Sequence, residues 1–103
     1  MQSITATEVK RRKEAGENLF LLDVREPAEH EAFDIGGTLL PLGHIISMQI
    51  EALEHHRDQE IICYCRSGQR SMQAALMLES MGFSNVKNLT GGMLSWQEQF
   101  GSK

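Results

Sequence analysis

Residues 61–71 read Ile61-Ile62-Cys63-Tyr64-Cys65-Arg66-Ser67-Gly68-Gln69-Arg70-Ser71, and their reading decides the fold. The first four form a short apolar run, the length and character of a strand buried on both faces. From residue 70 to 81, Met72, Ala75, Leu76, Leu78 and Met81 recur at helical spacing. Between them lies a polar loop, residues 65–69, with one glycine. The order is strand, tight loop, helix.

Outward from this unit the same alternation continues. Residues 20–24 form a second apolar run, broken only by Asp23 and followed by Arg25, charge and Pro27. A third strand is expected at 38–42, after Gly36-Gly37, and a short helix at about 47–56. Gly82 ends the helix after the loop, residues 85–89 suit another strand, and Gly91-Gly92 opens a last helix carrying Leu94, Trp96 and Phe100. Near the start, Thr5 or Thr7 can cap a helix that has Glu8 in its first turn and closes at Gly16. Strands alternating with helices imply an α/β fold with a mostly parallel sheet covered on both faces.

Parallel open sheets bind ligands at the carboxyl ends of their strands, and Cys65 stands at such an end, directly before a helix. Backbone N–H groups of a tight loop and of a helix N-terminus favour an anion there. Arg66 and Arg70 bracket the loop, and Gly68 lets it turn without a Cβ clash. A thiolate is the anion this setting favours, so Cys65 is the candidate nucleophile. The inert alternative is a small buried hydrophobe ending a strand. Cys63, two residues earlier, faces the same side one step deeper, which suits a packed thiol; a resolving thiol for Cys65 is the other reading.

Composition sets bounds. The 103 residues are enough for one compact domain, taken as 1–103, and 41% hydrophobic with 23% charged residues is ordinary globular usage. No apolar run reaches the roughly 20 residues of a membrane helix. The start lacks the apolar block of a secretory signal, and two cysteines so close together make no disulfide framework, so a reducing, cytoplasmic setting is expected. A net charge of -4 offers no general attraction to nucleic acid or anionic membrane. The basic run 10–13 reads as a solvated helix face. Cys63, Cys65, His44, His55 and His56 lack zinc-site spacing, so no metal or cofactor is expected. His55 and His56 read as surface residues, Trp96 and Phe100 as core, and Met72, Met77 and Met81 as fillers of gaps.

Four segments, LLDVRE at 21–26, EHEAFDIGGTLLPL at 29–42, IICYCRSGQRS at 61–71 and the spacing from MGFSNVKNL to GGMLSW, together resemble the rhodanese family. The resemblance spans roughly residues 3 to 100. It implies a five-stranded parallel sheet flanked by helices and a persulfide on Cys65. It also implies transfer of sulfur from a donor such as thiosulfate, or another persulfide, to a thiol or cyanide acceptor; a protein acceptor is not identified. Phe33-Asp34 stands where the family commonly has Gly-His, and Asp34, Glu29 or Glu31 is expected to pair with Arg25. In this reading the loop from Arg66 through Ser67, Gly68 and Gln69 to Arg70 holds the persulfide, and Arg66 or Arg70 positions an anionic donor. Arg70 can instead pin the loop, while Asp23, Arg25 and Ser71 support it.

Two other functions compete. A cysteine phosphatase or arsenate reductase also needs a thiolate in an anion loop, but those loops place five residues between Cys and Arg, whereas Arg66, Ser67, Gly68 and Gln69 make four. A partner-dependent or non-catalytic rhodanese-like module is the alternative from another class; in such modules the loop cysteine is often absent.

Overall fold

Successive residues of the central strands point to opposite faces of the sheet, and that alternation builds two half-cores. The computed structural model describes residues 1–101. Its elements in chain order are β1 (Gln2–Ile4), α1 (Ala6–Glu14), β2 (Phe20–Asp23), α2 (Pro27–Ala32), β3 (Thr38–Leu39) and α3 (Leu42–Ile46). A 3-10 helix (Glu51–His56), β4 (Ile61–Tyr64), α4 (Gln69–Ser80), β5 (Val86–Leu89) and α5 (Gly92–Phe100) follow. The five strands lie in the order β1-β5-β4-β2-β3, and every pairing is parallel. This is the α/β sheet expected from the alternating pattern, here parallel throughout.

Leu22, Ile61, Cys63, Cys65 and Val86 face one side of the sheet, where Ile45, Leu53, Ala74, Ala75 and Leu78 pack on them. Leu21, Ile62, Tyr64 and Leu89 face the other, under Ala6, Val9, Met93 and Trp96. So α3, the 3-10 helix and α4 cover one face, and α1 and α5 the other. A fully buried Leu or Ile contributes roughly 1.5–3 kcal/mol, against about 0–1 kcal/mol for an exposed ion pair. The two apolar layers hold the sandwich together.

Several expectations are corrected here. β1 and α2 are additional elements: β1 is an edge strand of three residues with only Ile4 buried, and α2 buries none of its side chains. The third strand stops at Leu39, and the chain turns into α3 from Leu42. The helix expected at 47–56 is a 3-10 helix from Glu51, separated from α3 by Met48 at φ 61, a left-handed conformation that no helix continues through. On α4 the buried stripe is Ser71, Ala74, Ala75 and Leu78, whereas Met72 and Leu76 are 44% and 51% exposed. The basic run is only partly solvated: Arg12 holds Glu60 through two hydrogen bonds, and Lys13 Nζ donates to Ile35 O at 2.6 Å. His56 is half-buried, stacked on Phe20 with ring centroids 4.3 Å apart. Residues 102 and 103, the end of the expected domain, lie outside the described residues.

Candidate active site

Cys65 follows the last residue of β4 and is 1% exposed. Gly68, at φ 98, precedes α4 and reverses the chain so that the loop folds back over the sulfur. Cys65 Sγ receives hydrogen bonds from Gly68 N–H at 3.1 Å, Ser71 N–H at 3.3 Å and the Ser71 hydroxyl at 3.4 Å. Burial by itself pushes the thiol up. The Ser71 hydroxyl and the N–H groups of Ser71, Gly68 and Ser67 outweigh it and hold Cys65 below the ordinary thiol value. Cys63, deeper in the core and without such donors, is pushed up to about 12 by burial and by the neighbouring Cys65. One strand therefore presents one thiol poised to ionise and one that is inert.

The first turn of α5 aims the loop. Met93 N–H donates to Cys65 O and Leu94 N–H to Arg66 O, both at 2.9 Å. In a trans peptide the C=O and the following N–H point opposite ways. Holding the Arg66 carbonyl toward α5 therefore turns the Ser67 N–H to the other side, where it faces the sulfur. The approach is so close that a Cβ on Gly92 would lie 2.4 Å from Cys65 O and 2.7 Å from Arg66 O.

Two carboxylates frame the site differently. Arg70, in the first turn of α4, is gripped by both oxygens of Glu29 on α2, at 2.8 and 2.9 Å. Arg66 is exposed, and its guanidinium has no ion-pair partner among the described residues. Asp23 and Arg25 form a second, buried pair at 2.9 and 2.8 Å, with Arg25 also donating to Phe33 O and His30 Nδ1 2.7 Å from Asp23 Oδ2. That pair lies on the Tyr64 side of the sheet, the Arg25 guanidinium 5.6 Å from the Tyr64 ring centre.

The sequence pattern of the rhodanese-like domain matches residues 5–99. The chain belongs to the rhodanese-like domain family. This rhodanese-like chain is 38% identical to a sulfurtransferase of Allochromatium vinosum over 78% of its own length and 73% of that protein's. It is 31% identical to the thiosulfate:glutathione sulfurtransferase of Saccharomyces cerevisiae, over 84% of its own length and 70% of that protein's. The crystal structure of a rhodanese-like domain protein from Staphylococcus aureus superposes with a TM-score of 0.82 at 27% identity, covering 93% of this chain and 91% of that one. Sulfur transfer is the reaction class of the rhodanese-like chain.

Within the rhodanese-like site, the structure brings Cys65, Ser67, Gly68, Arg70 and Ser71 together, with Arg66 and Gln69 exposed at the rim. Asp23 and Arg25 stand apart from the loop, linked to it through α2, which sends Glu29 to Arg70 and His30 to Asp23. The expectation that Asp34, Glu29 or Glu31 pairs with Arg25 is corrected. The partner is Asp23, two residues back, whose side chain leaves the strand on the same side; Glu29 serves Arg70, and Asp34 accepts from Gly36 N–H at 2.6 Å. Sequence reasoning passed over Asn88, buried at 3% exposure beside Ser71 and Gly68. An amide inside an otherwise apolar strand, ahead of Gly91-Gly92, was the available signal.

Proposed function

We propose that this chain, with residues 1–103 forming one rhodanese-like domain, carries sulfane sulfur on Cys65 from thiosulfate to a thiol or to cyanide. The Cys65 thiolate attacks the outer sulfur of thiosulfate. An S–S bond forms, the bond to the sulfonate sulfur breaks, and its electron pair leaves with sulfite. The persulfide then gives its terminal sulfur to the acceptor, whose lone pair forms the new bond while the Cys65 thiolate departs. Two half-reactions of this kind are ping-pong.

The observation that carries the reading is the convergence of Gly68 N–H, Ser71 N–H and the Ser71 hydroxyl on a single sulfur atom. Those donors favour the thiolate, and in the persulfide the same loop would hold the single negative charge, now on the outer sulfur. At 1% exposure Cys65 is open to a slim terminal sulfur sooner than to a tetrahedral phosphate. Arg66 is the free cation for an anionic donor, and Arg70, held by Glu29, keeps the loop in place. A reducing, cytoplasmic setting, a reduced Cys65 and small-molecule partners without metal or cofactor complete the reading.

The test is the intact mass after thiosulfate treatment, beside a Cys65→Ser variant. A gain of about 32 Da on the wild type alone, removed by cyanide, supports the covalent route. No adduct on either protein overturns it.

A further inference from the structure

Ser71 Oγ lies 3.4 Å from Cys65 Sγ and 2.5 Å from Asn88 Oδ1. A serine hydroxyl has one proton to donate. Both neighbours are acceptors, so it serves one at a time. The Asn88 amide cannot be turned the other way, because its Nδ2 donates to Gly68 O at 3.1 Å and a flip would set oxygen against oxygen. Asn88 stands on β5 directly beside Cys63 of β4 and is 3% exposed, so no bulk water replaces either bond.

We propose that Asn88 is a positioning residue for sulfur transfer: its Oδ1 holds the Ser71 proton while the Cys65 sulfur is uncharged and releases it when charge returns to that sulfur. The proposal rests on the sulfur-transfer reading above. As a thiolate, Sγ is the stronger acceptor and takes the Ser71 hydrogen bond. On attack, its electron pair enters the new S–S bond and the charge moves to the outer sulfur. Sγ is then a neutral divalent sulfur, a weak acceptor, and the hydroxyl rotates to Asn88. Departure of the outer sulfur reverses the rotation. No proton changes owner, and no electron is gained or lost by the protein. Without the Asn88 oxygen the hydroxyl stays on Sγ. The thiolate becomes more stable and, since thiolate reactivity falls with its pKa, a weaker nucleophile.

The measurement is the pH dependence of iodoacetamide alkylation of Cys65, together with the rate of thiosulfate uptake at the alkaline plateau. Wild type is compared with Asn88→Leu, Asn88→Ala, Ser71→Ala and the Ser71→Ala/Asn88→Leu double variant. Leucine keeps the side-chain volume, and Gly68 O keeps the Met72 N–H at 3.1 Å, so no buried carbonyl is orphaned. Cys63 on β4 and Arg70 on α4 are the ionisable groups whose charge couples to Cys65. Neither is altered.

Asn88→Leu and Asn88→Ala are expected to lower the alkylation midpoint by about one pH unit and to slow plateau uptake about threefold. In the Ser71→Ala background the Asn88 substitution should change nothing further. A midpoint that rises in both Asn88→Leu and Asn88→Ala is the mark of a slackened loop and overturns the proposal. So does an Asn88 effect that survives the loss of Ser71. Alkylation needs no sulfur donor, so a wild type that takes up no sulfur defeats the sulfur-transfer reading by itself while the hydrogen-bond comparison still stands.

Discussion

Glu29 and Arg70, 41 residues apart in sequence, meet through two parallel hydrogen bonds of 2.8 and 2.9 Å that tie α2 to the first turn of α4. Glu29 also accepts from Glu26 N–H at 3.0 Å, so one carboxylate closes the start of its own helix and anchors the loop helix.

Its pH dependence is predicted. Arg70 is the main cause that holds Glu29 down to about 2, against the opposing effect of burial. A lowered carboxylate stabilises the fold above its unfolded value, and that contribution is lost as pH falls through the folded value. Glu29→Gln should cost about 1 kcal/mol at pH 7. The difference from wild type should shrink between pH 4.5 and about 2. Urea unfolding at pH 7 and pH 3 measures it; an equal difference at both would show that Glu29 acts by shape rather than charge.

Gly92 offers a second, sharper prediction. An added Cβ would lie 2.4 Å from Cys65 O, and the residue sits at φ 55. Gly92→Ala should destabilise by about 3 kcal/mol and raise the alkylation midpoint of Cys65, because the loop must move away from α5. Gly43→Ala, with nothing within 4 Å of the added Cβ, is the control and should change stability by less than about 1 kcal/mol. Comparable losses in the two variants would remove the argument for α5 as the template of the loop.

The strand, loop and helix around Cys65 were legible because three signals coincide there: an apolar run, a polar loop with Gly68, and helical spacing after it. Other features gave weaker signals. β1 has a single buried residue, Ile4, too little for any periodicity. α2 buries nothing, and its start is written in Glu26, Pro27 and Glu29, a capping pattern without the usual Ser or Thr. The Arg25 partner is expected downstream, whereas Asp23 stands two residues upstream, at the end of β2. Met72 and Leu76 match the helical period yet face solvent, since small Ser71, Ala74 and Ala75 let α4 approach the sheet. Asn88 became meaningful only when β5 was set beside β4.

Asp23 and Arg25 lead to a stability prediction with a large magnitude. Burial works to raise the Asp23 carboxyl, but Arg25 and His30 outweigh it and leave the group below its ordinary value. Removing one partner of such a pair leaves a buried charge, here offset only by His30 and a backbone N–H, which costs up to about 3–5 kcal/mol. Arg25→Ala should therefore lose that much in chemical denaturation. An Asp23→Asn/Arg25→Met double variant, with no stranded charge, should recover a large part of it. A loss of under about 1 kcal/mol in Arg25→Ala would contradict the pair's burial.

Arg66 is expected to act on the donor rather than on the fold. It is exposed and lacks an ion-pair partner among the described residues. Arg66→Ala should leave unfolding within about 0.5 kcal/mol of wild type. It should raise KM for thiosulfate roughly tenfold with little change in kcat, because a contact made equally to bound donor and transition state shows only in KM. Added salt should narrow the gap by screening an exposed charge. A fall in kcat at unchanged KM would assign Arg66 to the transition state instead.

Cys63 and Cys65 provide the last prediction. Both are buried on the same side of the sheet, Cys63 within β4 and Cys65 just after it, yet Cys63 is pushed up to about 12 while hydrogen bonds hold Cys65 down. At neutral pH only Cys65 should react with iodoacetamide, giving one adduct by mass, none in Cys65→Ser and two after unfolding in urea. Adjacent same-face positions on a strand also hold the two side chains parallel, a poor geometry for a disulfide. Peroxide treatment should therefore oxidise Cys65 without forming a Cys63–Cys65 bond, and Cys63→Ser should leave the rate of inactivation unchanged. A loss of 2 Da on mild oxidation, absent from Cys63→Ser, would instead make Cys63 a resolving thiol and require β4 to open at its end, since about 2 Da is the mass of the two hydrogens a disulfide removes.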